Sequence, residues 1–135
     1  MRRLEDLEAI RQLQIDYGNA LDRGNVDAYV ALFAEDAELN LGPIAQCKGH
    51  AEIREAAGRM CGGGSIHLIG NPQIFLDGDT AKAVVSWTVL SPDEDGRPKV
   101  TTTGAHRDDL VRTSEGWRLK RRRGFVNIPP LMPTR

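Results

Sequence analysis

Several features that would narrow a reading quickly are scarce or missing here. Charge of one sign is missing: 18 Lys and Arg face 19 Asp and Glu, for a net charge of −1. That balance argues against a nucleic acid or an anionic membrane held by bulk electrostatics. No apolar run is long enough to span a bilayer, and Met1-Arg2-Arg3-Leu4-Glu5-Asp6 lacks the apolar stretch of a signal peptide, so a cytoplasmic protein is expected. Cysteine is limited to Cys47 and Cys61, with neither a C-x-x-C spacing nor a disulfide-rich context, which reads as free thiols in a reducing compartment. Three histidines without a short ligand spacing exclude the common metal motifs. There is no G-x-S-x-G, P-loop or G-x-G-x-x-G, and Gly62-Gly63-Gly64 lacks the Lys and Ser/Thr that phosphate binding wants. With no cofactor motif, any chemistry rests on side-chain acids and bases.

What is present patterns as one domain over residues 1–135, with a core of about 4–126 and an extended tail at 127–135. Leu4, Leu7, Ile10, Leu13, Tyr17 and Leu21 step by three or four residues, one stripe of an amphipathic helix that Gly24 stops. Asn25 can cap a shorter second helix containing Val26, Tyr29, Val30, Leu32 and Phe33. Ala37–Leu41 reads as a strand and His50–Met60 as a third helix, broken by the glycine run. From there the period falls to two. Ile66–Leu76 reads as a strand bent at Asn71-Pro72, followed by the turn Asp77-Gly78-Asp79 and by alternating Ala81, Ala83, Val85, Trp87 and Val89. Val100–Arg112 and Trp117–Val126 form a last hairpin. Helices first and long strands after predict an α+β fold, a curved antiparallel sheet with helices over one face.

Four kinds of residue on this frame carry chemistry. Asp22 sits at the edge of the helical stripe and in the last turn, where the helix dipole disfavours a carboxylate; it reads either as a site residue or as an Asp bonded to the turn amides. His67 opens the strand after the glycines, on the face of Ile69, as a site residue or as a satisfied edge histidine. Tyr17 is near the middle of the stripe and faces inward, with a phenol that either serves a substrate or is bonded locally. His106 shares a strand face with Gly104 and Asp108, as a donor or a rim residue, and His50 reads as a solvated helix start. In Lys120-Arg121-Arg122-Arg123 strand alternation puts Arg121 and Arg123 on the side of Trp117, Leu119 and Phe125; Arg121 either reaches the pocket or lies on a solvated or interface strand.

Several stretches resemble the SnoaL-like branch of the nuclear-transport-factor-2-like superfamily. They are Leu7–Leu13 with Tyr17 and Ala20–Asp27, Leu32–Ala37, Gly49–Arg54, His67–Pro72 followed by Asp77-Gly78-Asp79, and Gly116–Leu119. The resemblance implies a cone-shaped fold covered by about three N-terminal helices, commonly a homodimer, with a pocket for apolar rings. Its members include dehydratases, a dehydrochlorinase, isomerases and polyketide cyclases, as well as non-catalytic subunits and transport factors, so fold alone does not choose the chemistry. In the dehydratase and dehydrochlorinase members, an Asp at this helical corner and a His at this strand position act as a dyad. The resemblance thus implies catalytic roles for His67, Asp22 and Tyr17 and a substrate contact from His106, and further substrate contacts are expected from Trp87, Phe33 and Arg121. It implies a cofactor-independent lyase or isomerase, a dehydratase first, acting on an apolar polyketide, terpenoid or steroid-like ring. A cyclase or double-bond isomerase with the same dyad, or a non-catalytic binding module, is the alternative.

Overall fold

A computed structural model describes residues 2–129. In chain order these form α1 (Arg2–Arg23), α2 (Val26–Val30), β1 (Phe33–Asn40), β2 (Gln46–Lys48), α3 (Gly49–Met60), β3 (Ile66–Ile69), β4 (Gln73–Asp77), β5 (Thr80–Pro92), β6 (Pro98–Thr113) and β7 (Gly116–Ile128). The amphipathic stripe builds α1 as expected, burying Ile10, Leu13, Tyr17, Ala20 and Leu21. Asn25 caps α2, its side-chain oxygen accepting from the Ala28 amide at 3.0 Å. Among the described residues no helix is long and apolar enough to cross a membrane.

The strands form one seven-stranded sheet in the order β2-β1-β7-β6-β5-β3, with β4 also paired to β5. Its pairs are antiparallel except β1 with β7, which run parallel, a departure from the all-antiparallel expectation. The strand expected over Ile66–Leu76 is two strands on one edge of β5: β3 pairs Ile66–Ile69 with Trp87–Leu90, and β4 pairs Gln73–Asp77 with Thr80–Val84. Asn71-Pro72 separates them because proline cannot donate to the ladder. Phe33, expected in the second helix, opens β1, and the short β2 gave no strand pattern of its own. His50 is half-buried rather than solvated, its Nε2–H donating to the Phe33 carbonyl at 2.7 Å. The expected tail is partly strand, because β7 continues to Ile128; residues 130–135 lie outside the described residues.

Helix and sheet meet over an apolar core of Tyr29, Phe33, Leu39, Ile53, Leu110 and Leu119 together with the α1 stripe. Both ends of α1 are tied down. At its start, Asp6 receives two hydrogen bonds from Arg112 (2.7 and 2.8 Å) and one from Trp117 Nε1 (3.1 Å). At its end, the Gly62 amide donates to the Leu21 carbonyl at 2.7 Å. In between, Gly18 gives the close approach: a Cβ there would stand 2.9 Å from Ile69 Cγ1. A glycine in mid-helix costs helix stability, and here it lets α1 lie directly on β3.

Candidate functional site

One helical turn after Gly18, on the same face of α1, comes Asp22. The contact with β3 sets it opposite His67. The His67 backbone amide donates to both carboxylate oxygens, at 3.0 and 3.1 Å, and the His67 Nδ1 lies 2.7 Å from Asp22 Oδ1. Main chain and ring therefore clamp one carboxylate. An ionised Asp22 keeps the ring proton on Nδ1 and leaves the lone pair of Nε2 free. Both side chains are mostly buried, 23% exposed for His67 and 16% for Asp22. The reading of Asp22 as bonded only to its own turn amides is replaced by this longer-range contact.

His67 lines a cavity of about 270 Å³ between the sheet, α1 and the end of α3. The walls are mainly apolar, from Leu21, Leu41, Ile44, Met60, Val89 and Val126, with Tyr17, Ser65, Trp87, Thr102 and His106 among them. Cross-strand pairing arranges the floor in rows. His67 and Val89 are opposite each other, with Thr102 across from Val89; Trp87 and Gly104 form the next row, and Val85, His106 and Gly124 the one after. Trp87 fits because residue 104 has no side chain: a Cβ there would stand 2.3 Å from the indole Cζ2. Its Nε1 is buried without a hydrogen-bond partner among the described residues.

Tyr17 lines the cavity from α1, and its hydroxyl lies 2.9 Å from that of Tyr29. Burial raises the pKa of the Tyr17 phenol, and that of Tyr29 well above its usual value, so both are neutral near pH 7. His106 is 6% exposed, edge-on to Tyr17 with ring centroids 5.4 Å apart. Burial first, then the charge of Arg122, push its pKa well below the usual histidine value. The two histidines of the cavity are thereby set apart: one is clamped by a carboxylate, the other held neutral.

Two expected contacts fall outside the cavity. Phe33 is buried in the core, its ring tilted against that of Tyr29 with centroids 5.3 Å apart. Arg121 is exposed, and its Nε donates to Glu38 at 3.0 Å. A β-bulge reverses the expected alternation: Leu110 pairs with Leu119 while Asp109 pairs with Arg121, leaving Lys120 as the extra residue. From there the even-numbered residues face inward, so Arg122 is the arginine that enters the interior.

Arg122 is fully buried, with Nε donating to Asp108 Oδ1 at 2.7 Å and Nη2 to Asp108 Oδ2 at 2.6 Å. Gln14 bridges the pair, donating to Asp108 at 2.8 Å and accepting from Arg122. The guanidinium carbon sits 4.3 Å from the centroid of the Tyr17 ring. Burial opposes the charge on Arg122, but Asp108 outweighs it and raises the arginine above its ordinary range. The sequence held one sign of this cluster: Gln14 is a polar residue inside the α1 stripe, between Leu13 and Tyr17.

Three comparisons place this architecture among known proteins. The solved structure of an NTF2-like protein with a cystatin-like fold from Novosphingobium aromaticivorans superposes with a TM-score of 0.85 at 31% identity, over 93% of this chain and 84% of that one. That of a putative scytalone dehydratase from the same organism superposes at 0.80 with 20% identity, over 98% and 97%, a likeness of fold. The uncharacterized protein Rv2910c of Mycobacterium tuberculosis is 30% identical over 123 residues, covering 88% of this chain and 84% of the relative. Residues 2–123 match the model of the SnoaL-like domain, and the chain belongs to that family, with an NTF2-like, cystatin-like fold.

Proposed function

We propose that this chain is a cofactor-independent acid–base lyase, a dehydratase that removes water from an apolar cyclic hydroxyketone. The observation that carries the reading is the clamp of Asp22 on His67, with the His67 ring in the wall of an apolar cavity. In this reading His67 Nε2 takes a proton made acidic by the neighbouring carbonyl. Asp22 fixes the tautomer and stabilises the imidazolium that forms. Tyr17, backed by Tyr29, donates to the oxyanion or to the departing hydroxyl. Electrons of the broken C–H bond form the new C=C bond, the C–O bond breaks, and the proton taken by His67 leaves with the hydroxyl as water. Ring closure and double-bond migration would begin from the same proton transfer, so the dehydratase assignment concerns the second half of the reaction.

The test is a spectrophotometric screen of cyclic β-hydroxyketones for the enone absorbance that appears on loss of water. The wild-type protein should turn over at least one; His67→Ala should lower kcat by about 10²–10⁴-fold, and Asp22→Asn should lower it too, with fold and KM largely kept. Turnover undiminished in both variants would remove the dyad from the mechanism.

A further inference from the structure

His106 is a second imidazole in the cavity that the proton transfer does not use. No hydrogen bond within the described residues reaches either of its ring nitrogens. Nδ1 is sealed from solvent, whereas Nε2 is not among the sealed atoms of a ring that lines the cavity. A neutral imidazole carries one proton, and an N–H sealed without an acceptor is the costlier arrangement, since orphaned buried N–H groups are rarer than under-satisfied acceptors. The proton therefore belongs on Nε2, where a ligand can receive it. The surroundings keep the ring uncharged: the indole of Trp87 lies on one side with centroids 5.7 Å apart, Tyr17 stands edge-on, and the Arg122 charge opposes a second proton.

We infer that His106 Nε2–H is the donor that holds the substrate's carbonyl oxygen, leaving Tyr17 for the departing hydroxyl, and that the substrate is an uncharged cyclic β-hydroxyketone. This inference rests on the lyase reading for the order of steps. A neutral imidazole suits that role, because it polarises a carbonyl and steadies the enolate oxygen without giving up its proton. When His67 takes the carbon proton, the electron pair moves onto the carbonyl oxygen at His106; as it returns, the C–O bond breaks and the hydroxyl departs beside Tyr17. Among the described residues no Lys or Arg lines the cavity to receive a carboxylate substrate, because Arg122 is sealed in the core beside Asp108 and Gln14.

The experiment compares 2-tetralone with tetralin, two-ring probes that differ by the carbonyl and carry no hydroxyl to lose, by titration calorimetry. Wild-type protein should bind 2-tetralone about tenfold tighter or more. His106→Phe should bring the two within about twofold, and His106→Gln, which places an amide N–H near the position of Nε2, should restore the preference. Nitrogen NMR of the wild-type ring should find the proton on Nε2. A proton on Nδ1, or a preference unchanged in His106→Phe, overturns the inference; if that variant does not fold, the wild-type tautomer and the His106→Gln ratio decide it. Asp22→Asn should keep the preference, which separates the two claims. Selective binding without dehydration of any hydroxyketone removes the lyase and leaves the donor, and dehydration without selectivity does the reverse.

Discussion

Gly18 of α1 lies so close to Ile69 of β3 that an added Cβ would stand 2.9 Å from Ile69 Cγ1 and 3.6 Å from the His67 carbonyl oxygen. The contact is one helical turn from the Asp22–His67 clamp, so helix position and clamp geometry are a single quantity. Gly18→Ala gains up to about 1 kcal/mol of helix propensity and meets an overpacking cost of about 1–3 kcal/mol. The overpacking is the larger effect: a net loss of stability of up to about 2 kcal/mol is expected by denaturant titration. A crystal structure of the variant should show the Asp22–His67 separation lengthened.

Arg122 and Asp108 make the next case, a buried ion pair inside the α1–sheet interface. Removing one partner strands a charge without solvent, so Arg122→Met should cost about 3–5 kcal/mol. Replacing both, Arg122→Met with Asp108→Leu, should recover part of that loss, because no charge is then stranded and only the neutral Gln14 amide loses its partners. Urea unfolding of the three proteins checks the ordering. A single variant as stable as the double one would deny that the pair is sealed.

His106 gives a pH prediction whose sign follows from its depressed pKa. Below about 6.5, the reference value for histidine, the unfolded chain takes up a proton that the folded ring refuses. Stability is therefore full above that value and falls as the pH drops through it. In His106→Gln this component of the acid slope should vanish between pH 6.5 and 5, read by thermal unfolding at half-unit steps.

Asp6 acts in a lower window. Hydrogen bonds from Arg112 and then Trp117 lower its pKa from 3.8 to about 2. Its contribution is present above the unfolded value and is lost as the pH falls from about 4 towards 2. The stability gap between wild type and Asp6→Asn should be constant from pH 5 to 7 and close below pH 4.

Local rules made much of this legible before any coordinates. The α1 stripe, the Asn25 cap, the glycine stop after α3 and the two-residue alternation of β5 are signals that neighbouring residues carry. Asp22 stood out because it broke the helix-dipole preference, and in the structure its carboxylate is hydrogen-bonded to the His67 amide and ring. The missing parts were long-range. The β1–β7 parallel pair joins distant ends of the chain, and β2 exists only because β1 lies beside it. The bulge at Lys120 is set by the pairing of β7 with β6; with it the inward arginine changes from Arg121 to Arg122, while Gln14, taken alone, was a polar residue on an apolar stripe.

The proton transfer itself is the most direct test, and it needs no knowledge of the natural substrate. In D2O, the ring CH2 protons beside the carbonyl of 2-tetralone exchange through its enolate, and proton NMR follows their loss. The wild-type protein should accelerate this exchange, with His67→Ala losing about 10²-fold or more of the acceleration and Asp22→Asn an intermediate share. Exchange no faster than in buffer, or equally fast after His67→Ala, would contradict the account.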